Sequence, residues 1–262
     1  MDKLLNIIKG ADEIVMEVYN RYLESDIEIQ IKADNSPLTE ADLKSSDYIC
    51  AKLKELDASI PIICEETKKV PYEERKDWNR FWLVDPIDGT KNFINKDGEF
   101  TVNIGLIENG VPILGVISIP CQNVIYYGQT VKLAEEDMIG AFVLNKIGGE
   151  IRELKCQPYD ESGPINIVCS RSHINKETLE YIEKYTVAEK ISAGSSLKFL
   201  MLCENRAQLY PRLGPTCEWD IAASHAIINA AGGSITLLDG SNVQYNKENF
   251  LNPYFVASTN GY

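Results

Sequence analysis

The sequence has no apolar run approaching the length of a membrane span, and its opening segment, Met1 to Glu13, carries Asp12 and Glu13 and lacks an apolar signal core. Both features argue against membrane insertion and secretion. Basic residues are in deficit: 26 Lys and Arg stand against 39 Asp and Glu, a formal net charge of −13. Nucleic-acid polymers are held mainly by Lys and Arg, so this balance argues against one as a partner. A small phosphate ligand stays open, because a bound divalent cation reverses the local sign. Histidine is scarce, with His173 and His225 alone, and no Gly-x-Ser-x-Gly occurs. A serine or cysteine hydrolase is therefore poorly supported, and each histidine reads as an ordinary surface or helix residue. The seven cysteines (Cys50, Cys64, Cys121, Cys156, Cys169, Cys203, Cys217) are odd in number and form no C-x-x-C pair. Neither a zinc site nor a disulfide scaffold is indicated; the thiols read as reduced and mostly buried, which suits a cytoplasmic protein.

What is present reads as globular protein. At 262 residues, 44% of them hydrophobic, the chain can bury a substantial core in one large domain or two modest ones. Leu4, Ile7, Ile8, Ala11, Val15, Val18, Tyr19 and Tyr22 recur at helical spacing and predict an amphipathic first helix. A polar connector, Lys32-Ala33-Asp34-Asn35-Ser36-Pro37, precedes a capping-box pattern of Thr39 with Asp42, which opens a second helix running to about Leu56. Ile60 to Cys64 and Phe81 to Val84 read as strands, each ending on acidic residues. Thr101 to Ile107 and Val111 to Ile119 read as a pair joined by an Asn109-Gly110 hairpin turn. Beyond Gly148-Gly149 the pattern changes. Ile165 to Cys169 predicts a strand, Lys176 to Tyr185, Ser195 to Glu204 and Trp219 to Ala231 predict helices, and short strands near Ile235 and Phe255 close the chain. The fold class is α/β. An α+β half, residues 1–160, carries most of the acidic candidates, and an α/β half, residues 161–262, completes the site, with a boundary near Asp160 to Gly163.

Chemistry concentrates at Asp85-Pro86-Ile87-Asp88-Gly89-Thr90. The apolar strand before it delivers two carboxylates at i and i+3 onto a proline-stiffened turn. Hard cations such as Mg²⁺ take oxygen ligands, often one or two carboxylates with a substrate phosphate. The turn can aim both carboxylates and the Ile87 carbonyl at one point, while amides around Gly89 and Thr90 can cradle phosphate. The plainer reading is a solvated turn, which this composition also favours. Glu65-Glu66 likewise follows an apolar strand, so a third carboxylate lies at a strand end. Asp220 stands at the start of a helix, where it could equally serve as an N-cap. Haloacid-dehalogenase-type phosphatases place two aspartates at i and i+2; the i, i+3 spacing with proline between breaks that geometry.

Taken together, these segments resemble the inositol-monophosphatase superfamily, and within it the 3'(2'),5'-bisphosphate nucleotidases. The matching pieces are Lys32 to Thr39 with Asp42, Glu65-Glu66, Trp82 to Phe93, Gly194-Ser195-Ser196-Leu197-Lys198, and Ala207 to Arg212 through Gly214-Pro215-Thr216 to Trp219-Asp220. The Gly-Ser-Ser-Leu-Lys and Tyr-Pro-Arg segments point to the nucleotidase branch. The resemblance implies a layered αβαβα sandwich with a site between its halves. It implies that Glu65, Asp85 and the Ile87 carbonyl hold one Mg²⁺, and that Asp85, Asp88 and Asp220 hold a second. For some members it implies a third, weaker ion near Glu65. Thr90, bonded to Asp42, would position and help deprotonate the attacking water, with Glu65 as a further catalytic carboxylate. The substrate would be adenosine 3',5'-bisphosphate, contacted by Glu65, Ile87, Asp88, Gly89, Thr90, Ser195, Ser196, Lys198, Arg212 and Asp220. Li⁺ would inhibit. On the same scaffold an inositol or sugar phosphatase keeps the metal site and changes the pocket; a non-catalytic metal- and phosphate-binding protein is the alternative of another class. The sequence does not choose between monomer and homodimer, nor does it address peripheral association with a membrane face.

Overall fold

The apolar spacing near the N-terminus does form a helix. In the computed structural model, which describes residues 1–25, 28–32, 37–135, 137–171 and 174–261, α1 spans Asp2–Glu24 and buries every residue that predicted it. A short antiparallel ribbon, β1 (Ile29–Ile31) and β2 (Pro37–Thr39), leads into α2 (Glu40–Leu56). Connector residues 33–36 lie outside the described residues. Thr39 caps α2 as expected: its N–H and its hydroxyl donate to Asp42 Oδ2 at 2.8 and 2.6 Å.

The larger sheet has seven strands in chain order: β3 (Ile62–Cys64), β4 (Arg80–Asp88), β5 (Thr101–Glu108), β6 (Val111–Ile119), β7 (Val124–Gln129), β8 (Gly140–Asn145) and β9 (Ile151–Leu154). α3 (Tyr72–Arg75) precedes β4, and α4 (Thr90–Ile94) follows it. Asn109 and Gly110, at φ 50° and 75°, turn β5 into β6 as their sequence predicts. Sequence patterning assigns no strand between Ile119 and Ile165, yet β7, β8 and β9 lie there. The last of them is an edge strand whose first three residues are exposed, so it carries no alternating signal.

The smaller sheet has five strands, ordered β11-β10-β12-β14-β13. Its elements are β10 (Ile165–Ser170), α5 (Lys176–Ile182), β11 (Val187–Ala193), α6 (Leu197–Cys203), β12 (Leu209–Arg212), α7 (Glu218–Ala230), β13 (Ser234–Leu237) and β14 (Phe255–Ser258). Three buried clusters fix the layering. Ile8, Val15 and Ile49 of α1 and α2 pack with Val84, Ile104 and Val116 on one face of the larger sheet. Leu83 and Ile117 on its other face join Leu200, Ile227 and Phe255, which places α6 and α7 between the sheets. Ile182 of α5 packs with Ile167 and Val256 on the outer face of the smaller sheet. The order is α, β, α, β, α.

Helix α7 is buried on nearly all sides, from Glu218 through Ile228 apart from Asp220. It approaches the larger sheet where side chains are missing. Gly105 pairs with Gly115, and Gly115 with Gly128, a row of glycines across β5, β6 and β7. A Cβ on Gly115 would lie 2.1 Å from the Ala223 carbonyl oxygen, and one on Gly105 would lie 2.9 Å from the Ala222 Cβ. The trough admits backbone where any side chain would hold it off.

Candidate active site

The Asp85 to Asp88 segment, read from sequence as a tight turn, is a bulge near the end of β4. Asp85 faces Asn103 and Asp88 faces Thr101, so β4 advances three residues while β5 retreats two. A bulge re-aims side chains at a sheet end, and here it turns two carboxylates toward the same cleft. The Ile87 N–H donates to Asp85 Oδ1 at 3.1 Å, which fixes that carboxylate from within the bulge. Gly89 follows at φ 95°, a conformation open to glycine, and starts α4. Glu65 stands just beyond β3, whose Cys64 pairs in parallel with Val84, so both strand ends deliver their acids side by side.

Glu65, Asp85 and Asp220 converge, each offering an oxygen within 4.8 Å of the others. Asp220 occupies the third position of α7, and its Oδ2 accepts from the Cys217 N–H at 2.8 Å, so Cys217 is the cap and Asp220 completes a capping box. The capping and clustering readings of Asp220 therefore describe one side chain. Asp88 lies beside this triad, not within it, and its Oδ2 accepts from the Ser195 and Ser196 hydroxyls, each at 2.8 Å. Burial first, then the negative charges of Glu65, Asp88 and Asp220, push Asp85 well above the ordinary carboxylate range. Asp220 is raised for the same reasons: burial, then Asp88 and Glu65. Lys32 partly offsets this charge, donating to Glu65 Oε1 at 2.7 Å and Glu66 Oε1 at 2.6 Å. Converging hard oxygen donors with uncompensated charge suit a divalent cation.

A second constellation faces the same point. The Thr90 hydroxyl lies 3.1 Å from Asp42 Oδ1 and 3.3 Å from the Ile87 carbonyl oxygen. Asp42 is 1% exposed, and burial raises its pKa against the opposing bonds from Thr39 and Thr90. The cleft, about 280 Å³, is also lined by Gly89, Ser195, Lys198 and Arg212. Ser196 is not among its lining residues. It is buried, bonded to Asp88 and to Asn103 Nδ2 at 3.0 Å, and holds the loop in place. Ser195 sits at φ 48°, and α6 begins only at Leu197, so the predicted helix start at Ser195 is a left-handed turn. Lys198 is 6% exposed, and burial pulls its ammonium down to about 8. Arg212 donates through Nη2 to the Pro215 carbonyl at 2.8 Å, while its buried Nε has no acceptor among the described residues.

His225 is buried in α7, with Nδ1 2.9 Å from the Tyr245 hydroxyl, and is neither exposed nor at the cleft. His173 lies outside the described residues. Sequence reasoning missed Thr101 and Asn103, whose side chains hold Ser195 and Ser196. It also missed Lys69, behind Glu65. Thr101 and Asn103 act through partners distant in sequence, and no local pattern marks any of the three.

Fold and site define a layered α/β phosphomonoesterase built on a carboxylate cluster. The family model described as the inositol monophosphatase family matches residues 1–260, and the chain belongs to that family, whose members are metal-dependent. Among curated relatives, the 3'(2'),5'-bisphosphate nucleotidase CysQ of Shigella flexneri is 41% identical over 259 residues, covering 98% of this chain and 99% of that protein. The protein of the same name from Escherichia coli (strain K12) is 39% identical over the same length. Among solved structures, CysQ from Bacteroides thetaiotaomicron superposes with a TM-score of 0.80 at 34% identity, covering 98% of this chain and 95% of that one. An IMPase from Thermotoga maritima shares the fold, with a TM-score of 0.76 at 22% identity.

Proposed function

We propose that the protein is a 3'(2'),5'-bisphosphate nucleotidase, releasing phosphate from adenosine 3',5'-bisphosphate and leaving AMP. The observation that carries this reading is one cleft lined both by a carboxylate cluster and by two basic residues. The carboxylates at Glu65, Asp85 and Asp220 stand at one end, and Lys198 and Arg212 line the same cavity. A monophosphate needs only the first. A bisphosphate brings a second dianion, and the buried Arg212 Nε has no hydrogen-bond acceptor among the described residues. The name carried by the relatives at 39–41% identity supports the same substrate.

Glu65, Asp85, Asp88, Asp220 and the Ile87 carbonyl are the groups that would hold two Mg²⁺ ions, with Glu65 facing any third. When bound, such ions supply positive charge to the phosphoryl oxygens and the leaving oxygen and acidify water. The chain's own part is proton handling and placement. Thr90 Oγ1 donates its proton to Asp42 Oδ1 and can accept one from the attacking water, so a single relay leads away from phosphorus. Asp42 is suited to this end of the relay because burial makes it a better base than an exposed aspartate. Thr39 occupies its other oxygen, so the acceptor atom is fixed. Gly89 keeps the backbone close to the phosphate, and Ser195, anchored on Asp88, closes the cleft wall. Attack by water leaves no phosphoenzyme.

A cytoplasmic setting belongs to the same reading, supported by seven free cysteines. No helix among the described residues is long and apolar enough to cross a membrane. The test is a phosphate-release screen with Mg²⁺ over nucleoside bisphosphates, inositol phosphates and sugar phosphates. Adenosine 3',5'-bisphosphate should be turned over most efficiently; a preference for inositol monophosphate would refute the nucleotidase reading.

A further inference from the structure

The segment between β3 and β4 carries Glu65 and then wraps across the start of α7. Lys69, four residues past Glu65, folds back on its own turn. Its ammonium donates to the carbonyl oxygens of Cys64, Glu65 and Thr67 at 2.6, 2.5 and 3.1 Å. The same nitrogen sits 4.6 Å from the centre of the Trp219 ring. Trp219 in turn packs on Phe250 at 5.2 Å, and the Arg75 guanidinium covers Phe250 at 4.1 Å and Tyr72 at 5.2 Å. Lys69, Trp219, Phe250, Arg75 and Tyr72 thus form a column in which Lys69 caps the Trp219–Phe250 ring pair on one side and Arg75 lies between Phe250 and Tyr72 on the other, and both of its ends come from one short segment. Trp219 directly precedes Asp220. The near end of the column therefore touches both the Glu65 turn and the residue before the other carboxylate.

A cavity of about 720 Å³ opens on this side of the cluster, lined by Glu65, Asp220, Lys69 and Trp219 among others. The Glu65 turn and the start of α7 thus line open space together. The Lys69 ammonium bridges the turn and the Trp219 ring beside it. A lysine that only stapled its own turn would need the carbonyls and not the ring.

We propose that Lys69 is a positioning residue for the metal-binding carboxylates: it ties the backbone of the Glu65 turn to the face of Trp219 and so sets Glu65 against Asp220. The inference rests on the reading that Glu65 and Asp220 hold a divalent cation. Two consequences of removing the ammonium oppose each other. A looser turn weakens cation binding, whereas a lost positive charge near the cluster strengthens it, so the sign of the change identifies which effect governs.

Isothermal titration of metal-stripped protein with Mg²⁺ reads this directly, alongside metal-free urea unfolding and steady-state kinetics. Lys69→Met should keep its unfolding midpoint close to wild type while Mg²⁺ affinity falls by roughly tenfold or more, the range typical of groups that orient metal ligands. kcat should fall at saturating Mg²⁺ with KM for the nucleotide little changed, and Lys69→Arg should restore most of the affinity. Trp219→Leu, which leaves the carbonyl bonds in place, should weaken Mg²⁺ in the same direction. Unchanged or tighter Mg²⁺ binding by Lys69→Met would overturn the proposal, as would a loss that follows metal-free instability in the Met and Arg variants alike. If instead wild type and Glu65→Gln bind Mg²⁺ equally, the metal reading itself fails.

Discussion

Replacing Gly115 with alanine tests whether the glycine trough sets the active-site geometry. The new methyl would meet the Ala223 carbonyl oxygen at 2.1 Å, with the carbonyl carbon at 2.8 Å and Cα at 2.9 Å, whereas real contacts essentially never fall below 3.0 Å. The obstacle is helix backbone, which cannot rotate aside, so α7 and β6 must separate by about 0.9 Å at that point. Overpacking of this kind costs typically about 1–3 kcal/mol. The value here belongs at the upper end, because Gly105 and Gly128 bring the same helix close on either side. Alanine recovers at most about 1 kcal/mol of strand propensity over glycine, leaving a net loss of about 2 kcal/mol. Ala223 is three residues past Asp220, less than one helical turn, so the displacement carries the carboxylate with it. A shift on the order of 1 Å in a positioned group can lower turnover about 100-fold. Urea unfolding should show the loss of stability, and phosphate release from the folded protein at saturating Mg²⁺ should show the loss of kcat. Gly148→Ala, at a glycine with nothing within 4 Å, serves as the neutral control. A Gly115→Ala protein with wild-type stability and kcat would refute the trough as a determinant of the site.

Arg212→Ala should raise KM for adenosine 3',5'-bisphosphate far more than for a monophosphate, by on the order of tenfold or more, from a lost charge-assisted bond of about 1.5–3 kcal/mol; equal weakening of both substrates would exclude Arg212 as the second-phosphate anchor. His225 has a folded pKa depressed by burial from 6.5 to about 3, so its contribution to stability is complete above pH 6.5 and is lost as pH falls toward 3. Between pH 7 and pH 5 that loss amounts to about 2 kcal/mol by proton linkage, and His225→Gln should lose that much less in urea titrations at the two values. LiCl should inhibit phosphate release at concentrations where NaCl does not, since Li⁺ resembles Mg²⁺ in size and carries half the charge; matching inhibition curves would end this idea.

Much of the fold is legible along the chain because its signals are local. The apolar spacing of α1, the Thr39/Asp42 box and the Asn109-Gly110 turn each specify their element within a few residues. The acids were legible as strand-end groups for the same reason. What could not be read depends on pairing. Proline, aspartate and glycine mark Asp85 to Gly89 as a turn, but the ladder to β5 continues through Thr101 and makes a bulge. Gly105, Gly115 and Gly128 look unrelated until strand register lines them up. Ser195 and Ser196 meet Asp88 only because the turn before α6 closes on the end of β4, and Lys69 finds Trp219 because the turn after β3 closes on the start of α7.

Asp42 and Asp220 each complete a capping box, and each also faces the cleft chemistry. This double duty sets an order in which such a protein can decay. A lineage that gave up turnover but kept the fold could discard Glu65, which tethers no helix, at little structural cost. Losing Asp42 or Asp220 would also unfasten the first turn of α2 or α7, a penalty of about 1 kcal/mol for each lost capping-box hydrogen bond. An inactive descendant of this scaffold should therefore keep these two aspartates long after Glu65 has drifted. Their survival in a sequence testifies to helix starts as much as to catalysis, and the residue to inspect for lost activity is Glu65.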